Sequence, residues 1–299
     1  MWAVSVILVL SQCVVGCGIE GEEDGNGTHP PIIPVPEVDG DPAWSPDGDL
    51  IAFFHLGLTW VDYDTGRYDE DLDSLGVWLV EPDGTGKRML LKGADTPAWS
   101  PDASCLAVVR EGQIWKLTLD GGDLAQLTSR GNNSRPVWSP DGKWIASNTH
   151  FCEDGHPCGI WLTDSEGSES TWISEGSCSD WNSDGLSLLI VGSIGDERGI
   201  LTYDLASGSA EMIYPLGESL VSSGPKYSPD DSRIAVGLER RIWVMNADGT
   251  GATRITSTES LGAISWSPDG EHIVHGAHKG LWIINADGTN PHQITFPPN

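Results

Sequence analysis

A seven-residue phrase built around an aromatic residue occurs six times in the sequence. It is first PAWSPDG at residues 42–48, and related copies begin at residues 97, 136, 179, 225 and 264. In the first copy, Pro46 supplies the φ angle that the second position of a type I turn needs, and Gly48 lets the chain leave at positive φ. Because β-type residues flank this turn, each copy predicts a hairpin with a large aromatic side chain just before the turn.

Each copy is followed by a second aromatic residue and a second turn. The second aromatics are Trp78, Trp115, Trp161, Tyr203, Trp243 and Trp282. The second turns contain Asp-Gly between apolar runs, as at 82–85 and 247–250, and this dipeptide is a strong hairpin signal. Two hairpins per unit at intervals of about 40 residues are typical of a propeller blade. We therefore predict an all-β fold for residues 41–299, a six-bladed β-propeller of four-stranded antiparallel blades whose aromatic residues are wedges between blades.

The repeat, P-x-W-S-P-D-G followed by I-W and D-G, resembles the WD-like repeats of the TolB propeller and of the dipeptidyl peptidase propellers. The resemblance recurs in six units and covers almost everything after residue 40. It implies the propeller fold and, because TolB is a periplasmic scaffold, a role in binding a partner at the cell envelope. We do not expect TolB itself, because TolB carries an additional α/β domain before its propeller and residues 18–40 are too short for one.

The N-terminal residues MWAVSVILVLSQCVVGCGIE predict an export signal. Residues 2–10 are nearly all apolar but too few to span a bilayer as a helix, as in a signal peptide. The segment 14–17, VVGC, resembles the lipobox of bacterial lipoproteins, which implies a signal peptide over residues 1–16 and lipidation of Cys17; the alternative is a plain secretory peptide. Residues 17–40 are rich in Gly, Pro and acids and predict a flexible tether. By the same analogy, Gly18 after the lipidated residue favours the outer membrane.

The charge balance limits the partners. The chain has 16 Lys and Arg against 44 Asp and Glu, a formal net charge of −28. Such a surface repels nucleic acid and anionic lipid headgroups, so we expect neither as a partner and membrane contact only through the lipid anchor. We also expect a monomeric propeller that needs no cofactor.

The spacing between the two aromatics differs among the units. It is 16 residues in units 2, 5 and 6, but 34 in unit 1, 23 in unit 3 and 22 in unit 4. The extra residues fall between the second and third strands, whose connections all emerge on one side of a propeller. Insertions on one face are how repeat folds build a binding surface, so we predict that this face binds the ligand.

The first insertion, residues 55–76, is acidic. The carboxylates of Asp62, Asp64, Asp69 and Asp71 are candidates for contacting a partner. Hard carboxylate oxygens also suit Ca²⁺, but the spacing matches no calcium loop, so a solvated acidic loop is the favoured interpretation.

The insertion in unit 3 contains two cysteines. In an exported chain we expect a disulfide, with Cys152, Cys158 and Cys178 as candidates and their pairing open, whereas Cys105 should be alone. Together with His150 and His156, Cys152 and Cys158 also form a candidate zinc set, which the oxidising compartment disfavours.

Two cations precede the first aromatics of units 3 and 5. Arg135 and Lys226 are expected near the mouth of the central channel, where they could hold a ligand carboxylate; the alternative is pairing with local acids. Our functional hypothesis is a non-catalytic envelope lipoprotein that recognises a protein or peptide partner. The alternative is a lyase-like or metal-dependent propeller enzyme. A peptidase of this class is disfavoured because no Gly-x-Ser-x-Gly nucleophile motif occurs.

Overall fold

The computed structural model describes residues 39–62, 67–120, 122–150, 155–257, 259–260, 262–277 and 280–296. These residues form six four-stranded antiparallel sheets and one two-stranded sheet, which confirms the predicted all-β six-bladed propeller. Within the described ranges there is no helix with the length and apolarity needed to cross a bilayer.

Blade 1 differs from the others by an inserted hairpin. It consists of β1 (Asp39–Trp44), β2 (Ile51–His55), then the inserted β3 (Leu58–Asp62) and β4 (Arg67–Glu70), then β5 (Gly76–Val80) and β6 (Arg88–Lys92). Strands β1, β2, β5 and β6 form the blade, whereas β3 and β4 pair only with each other among the described strands.

Blades 2 to 6 are simple four-stranded meanders. Their strands are β7 (Asp95–Trp99), β8 (Cys105–Arg110), β9 (Gln113–Thr118) and β10 (Leu124–Gln126); β11 (Asn132–Trp138), β12 (Trp144–His150), β13 (Gly159–Asp164) and β14 (Ser170–Ser174); β15 (Ser177–Trp181), β16 (Ser187–Ile194), β17 (Glu197–Asp204) and β18 (Ala210–Pro215); β19 (Val221–Tyr227), β20 (Arg233–Leu238), β21 (Arg241–Asn246) and β22 (Thr253–Arg254); and β23 (Ile264–Trp266), β24 (His272–Ala277), β25 (Gly280–Asn285) and β26 (His292–Gln293). The first strand of each blade contacts the first strands of its neighbours, so these six strands surround the central channel.

The repeated turn is held by its own side chains. The Ser45 hydroxyl donates to Asp47 Oδ1 at 2.6 Å and accepts the amide of Leu50 at 2.9 Å. Asp47 Oδ1 also accepts the amide of Asp49, and the Ser45 hydroxyl and this amide together lower the pKa of Asp47. The same serine–aspartate pair recurs at Ser100, Ser139, Ser228 and Ser267. The phrase is therefore repeated because each blade needs this turn.

In blades 2 and 4 the first aromatic residue links its blade to the preceding one. The indole Nε1 of Trp99 donates to the Ala43 carbonyl at 2.9 Å, and Trp181 donates likewise to Val137 at 3.2 Å. A carbonyl in the middle of an inner strand would otherwise face the channel without a partner from its own sheet. The predicted role of the aromatic residues as wedges between blades is confirmed for these residues.

The ring is closed by side-chain packing between blades 6 and 1. Each blade takes its four strands from one stretch of the chain, so no described strand is exchanged at this seam. Instead, one buried apolar cluster spans both blades: Ile51, Phe53, Val80, Val274, Leu281, Ile283 and Ile294. The amide of Trp44 adds a hydrogen bond to Ser265 Oγ at 3.0 Å.

Candidate binding face and central channel

The two sides of the disc carry different connections. Asp39 pairs with His55 at one end of blade 1, whereas Trp44 pairs with Ile51 at the other, next to the Ser-Pro-Asp-Gly turn. We call the side with the connections between second and third strands, and between blades, the loop face. The side with the Ser-Pro-Asp-Gly turns is the turn face. The described extra residues of blades 1 and 3 follow β2 and β12 and therefore lie at the loop face, as predicted.

Blade 4 departs from the prediction. Its extra residues do not form a long loop, because β16 and β17 are each eight residues long and pair in register from Ser187–Asp204 to Ile194–Glu197. The hairpin tip is Gly195-Asp196, and Gly195 has a φ of 61°. The insertion therefore lengthens the β16–β17 hairpin, and Ile194 at its end is exposed.

The acidic candidates of blade 1 are only partly described. In the backbone register of the inserted hairpin, Asp62 lies opposite Arg67 and Asp69 lies opposite Trp60. Asp64 lies outside the described residues. The Asp71 carboxylate accepts the amide of Asp73 at 3.0 Å and so closes a turn. Contact between these carboxylates and a partner stays a prediction, as does the Ca²⁺ alternative.

The inner strands of blades 1 to 3 share a strained bulge. Asp41, Thr96 and Arg135 have φ angles of 46°, 43° and 50°, and each precedes a proline at a break in the strand register. Non-glycine residues rarely adopt positive φ, so the fold holds these three side chains at equivalent places around the channel. Burial raises the pKa of Asp41, and the Arg135 charge opposes that rise.

A second carboxylate lies beside Asp41. Burial and the neighbouring Asp41 charge raise the pKa of Asp95 to about 7, although the Thr96 hydroxyl donates to Asp95 Oδ1 at 3.1 Å. Two acids from adjacent blades thus lie close together in a poorly hydrated region of the channel, where ionisation of one opposes ionisation of the other. The sequence pattern did not reveal this pair, because the residue of blade 2 equivalent to Asp41 is Thr96, and Asp95 stands one residue before it.

Lys226 is already paired. Its Nζ lies 3.7 Å from Asp180 Oδ1 and donates to the Ser179 carbonyl, while Asp180 Oδ2 accepts the amide of Tyr227 at 2.9 Å. Lys226 therefore pairs with a nearby acid, which was the alternative to its holding a ligand carboxylate. Arg135 is exposed and has no ion pair within 4 Å among the described side chains. A shared anion site for Arg135 and Lys226 stays untested, and it would require Lys226 to leave Asp180.

The described cysteines divide into one bonded and two free residues. Cys158 is disulfide-bonded, whereas Cys105 and Cys178 are free thiols. The pairing of Cys178 that the sequence left open is thus not formed, because its strand is held in the core, where Cys178 exchanges two hydrogen bonds with Asn148. Burial raises the pKa of Cys178 to about 12, so its thiol is unreactive. The pairing of Cys158 with Cys152 stays a prediction, because Cys152, like Cys17, lies outside the described residues.

A cleft opens at the loop face of blade 3. It has a volume of about 510 Å³ and is lined by Thr149, His150, Gly159, Trp172, Glu175 and Gly176, among others. Ser134 Oγ lies 3.0 Å from His150 Nε2, and His156 stacks on Trp161 with ring centroids 4.0 Å apart. The two histidines proposed as zinc ligands therefore make other contacts in this structure. Sequence reasoning missed Trp172 because it treated this region only as a closing strand.

Exposed apolar side chains concentrate on the loop face. Seven large hydrophobic side chains are exposed in the described part of the chain: Leu72, Met89, Trp172, Leu186, Ile194, Leu220 and Phe296. Leu72, Ile194, Leu220 and Phe296 lie at loops or strand ends on the loop face. Trp172 lies in the middle of β14, and its side chain lines the cleft at that face. Leu186 is next to the turn that begins β16, on the turn face.

Sequence comparison finds partial relatives of different kinds. No family model matches the chain. It is 30% identical over 176 residues to the uncharacterized protein Atu1656 of Agrobacterium fabrum, covering 55% of this chain and 58% of that protein. It is 32% identical over 114 residues to TolB of Gluconobacter oxydans, covering 34% of this chain and 22% of that protein. It is 30% identical over 114 residues to the uncharacterized peptidase YuxL of Bacillus subtilis, covering 35% of this chain and 16% of that protein. The chain thus spans less than two thirds of each of these relatives.

Solved structures agree on the fold. A candidate TolB from Agrobacterium tumefaciens superposes with a TM-score of 0.59 at 23% identity, covering 70% of this chain and 84% of that one. An oligogalacturonate lyase in complex with manganese gives a TM-score of 0.51 at 14% identity, covering 82% and 88%. At such identities the likeness concerns the fold alone. The chain is a TolB-like six-bladed β-propeller.

Proposed function

We propose that this protein is a non-catalytic binding protein of the cell envelope that recognises a protein or peptide through the loop face of its propeller. The observation that carries this proposal is the concentration of exposed Leu72, Trp172, Ile194, Leu220 and Phe296 on that face. Exposed apolar side chains gathered on one side of a molecule are typical of an interaction surface. The inserted hairpin of blade 1 and the lengthened β16–β17 hairpin of blade 4 extend the same surface.

The partner is expected to carry a basic surface. The chain has a formal net charge of −28, so long-range attraction favours a cationic partner and repels an acidic one. Electrostatic complementarity acts mainly on the association rate, while the apolar side chains supply the short-range contacts. A partner with a basic rim around an apolar centre fits both features.

The TolB relatives favour an envelope location, and the sequence of the first seventeen residues favours a lipid anchor at Cys17. We expect Cys17→Ser to move the protein from the membrane fraction to the soluble fraction of the envelope. Cys13→Ser is the matched control and should leave the protein in the membrane fraction. Fractionation followed by intact-mass measurement tests this, since the wild type should carry a diacyl modification. Equal membrane association of both variants would contradict a lipid anchor at Cys17.

Substitutions on the two faces test the binding surface. We expect Ile194→Asp and Leu220→Asp to weaken capture of the partner from detergent-solubilised envelope by about tenfold or more, because a buried charge replaces an apolar contact. Leu186→Asp is the matched control: Leu186 is 64% exposed but lies on the turn face. All three sites are on the surface, so stability should change by less than about 0.5 kcal/mol.

The outcome of this capture experiment is decisive for the face. Loss of a partner through Leu186→Asp alone would place the contact on the turn face and contradict the proposal.

The enzymatic alternative is less well supported. Among the described residues, the compact group of candidate metal ligands is Asp269, Glu271 and His272, at the Ser-Pro-Asp-Gly turn of blade 6. Both acids there are exposed, and Asp269 already accepts the Ser267 hydroxyl.

A further inference from the structure

Trp172 occupies a position where the fold does not need an aromatic residue. It lies on the outermost strand of blade 3, directly opposite Trp161. The residues opposite the second aromatic of the other blades are Met89, Gln126, Ala210, Arg254 and Gln293. Since five blades fold without an aromatic side chain there, packing within the blade does not explain Trp172.

The Trp172 ring is anchored by a hydrogen bond and is partly exposed in the cleft. Its Nε1 donates to the Cys158 carbonyl at 3.0 Å, across from the outer strand to the start of β13. The side chain is nevertheless 38% exposed and forms one wall of the 510 Å³ cleft. Because the only polar atom of the indole is already bonded, the ring can offer a ligand only its apolar face.

The remaining walls of the cleft are polar. His150 and Glu175 are both exposed there, and Gly159 and Gly176 line the cleft with main chain alone. A Cβ atom on Gly159 would lie 2.2 Å from the Ser174 carbonyl, so this part of the wall must remain bare. Burial and the Arg135 charge lower the pKa of His150, so its imidazole is neutral at neutral pH and can exchange hydrogen bonds with hydroxyl groups.

The charges around the cleft disfavour an anionic ligand. An anion would meet the Glu175 carboxylate and the acidic surface, while a cation would find Glu175 as the one acid among the described lining residues, with the Arg135 charge near His150. A neutral ligand with an apolar face and several hydroxyl groups suits the aromatic wall and the polar groups together. The volume of about 510 Å³ lies within the range of small-molecule sites, about 300 to 1000 Å³.

We propose that this cleft binds a neutral sugar ring of an envelope glycan, stacked on Trp172 with its hydroxyl groups bonded to His150 and Glu175. The inference rests on the proposed function in one respect, that ligands meet the loop face. It adds a second ligand class at a cleft whose lining residues do not include Ile194 or Leu220.

Saturation-transfer NMR on the full chain tests the proposal with named probes. The neutral probes are cellotriose, maltotriose and N-acetylchitotriose, compared with trigalacturonate and trilysine, in a detergent without a sugar headgroup. We expect transfer to at least one neutral trisaccharide and weakening of its binding by about tenfold or more in Trp172→Ala, because stacking and buried apolar area are both lost. Trp172→Phe keeps a smaller ring and should fall between the two.

Met89→Ala is the matched control, since Met89 holds the same position in blade 1 and is 42% exposed. It should bind the trisaccharide as the wild type does. Unchanged binding by a folded Trp172→Ala variant, or no transfer to any neutral trisaccharide, would overturn the proposal. Transfer to trilysine alone would also overturn it and make the cleft a site for basic peptide. Loss of the sugar with retention of the protein partner, or the reverse, separates this inference from the proposed function.

Discussion

Replacing Phe53 with alanine is expected to lower the free energy of unfolding by about 3 to 5 kcal/mol. Phe53 has no exposed surface and lies in the apolar cluster that joins blades 1 and 6. Its loss leaves a cavity at a seam that no exchanged strand reinforces among the described residues. The ring also lies 5.2 Å from the Lys87 ammonium, so a cation–π contact disappears as well. Equilibrium urea unfolding, monitored by tryptophan fluorescence, measures the change.

Two further variants distinguish packing at the seam from a general effect of losing a phenyl ring. Phe53→Leu keeps most of the volume and should cost less than about 1.5 kcal/mol. Phe296→Ala removes a side chain that is 67% exposed and should change stability by less than about 0.5 kcal/mol. A cost below about 1 kcal/mol for Phe53→Ala would mean that blades 1 and 6 are held by something other than this cluster.

The fold was predictable from the sequence because the hydrogen bonds that form each repeated turn join residues close together in the chain. The Ser-Pro-Asp-Gly turn places its own hydrogen bonds within six residues, from Ser45 to Leu50, and the same pattern recurs around the ring. A copy that departs from the repeated phrase can be recognised by its place in the series. Blade 4 has Asn182 in place of the serine, and the Asn182 Oδ1 accepts the Ser187 amide as the serine hydroxyl does in other blades. Short-range chemistry repeated six times therefore defines blade number and strand order.

The candidate site was less predictable because it depends on contacts between distant residues. Lys226 finds its partner Asp180 in the preceding blade, 46 residues away. The spacing in blade 4 indicated a long loop, but β16 continues to Ile194 and stays paired with β17 as far as Glu197. Trp172 lies in a segment that the repeat predicts only as a closing strand, and the cross-strand register shows that it stands opposite Trp161.

The channel acids illustrate the same limit and yield a pH effect on stability. Asp95 and Asp41 come from adjacent blades, and burial followed by the Asp41 charge raises the pKa of Asp95 to about 7. An unfolded chain would bind this proton with a pKa of about 3.9. Between these values the folded state holds more protons than the unfolded state, so the stability contributed by protonated Asp95 is present below about pH 4 and is lost as the pH rises to about 7.

Asp95→Asn keeps the shape of the side chain and removes its titration. We expect the stability of this variant relative to the wild type to rise between about pH 4 and about pH 7, by at most about 4 kcal/mol, and to stay level at higher pH. Asp41→Asn removes the neighbouring charge but not the burial, so it should reduce the pH dependence due to Asp95 without abolishing it. Urea unfolding at a series of pH values measures both differences. A stability difference for Asp95→Asn that does not change with pH would show that Asp95 ionises normally in the folded channel.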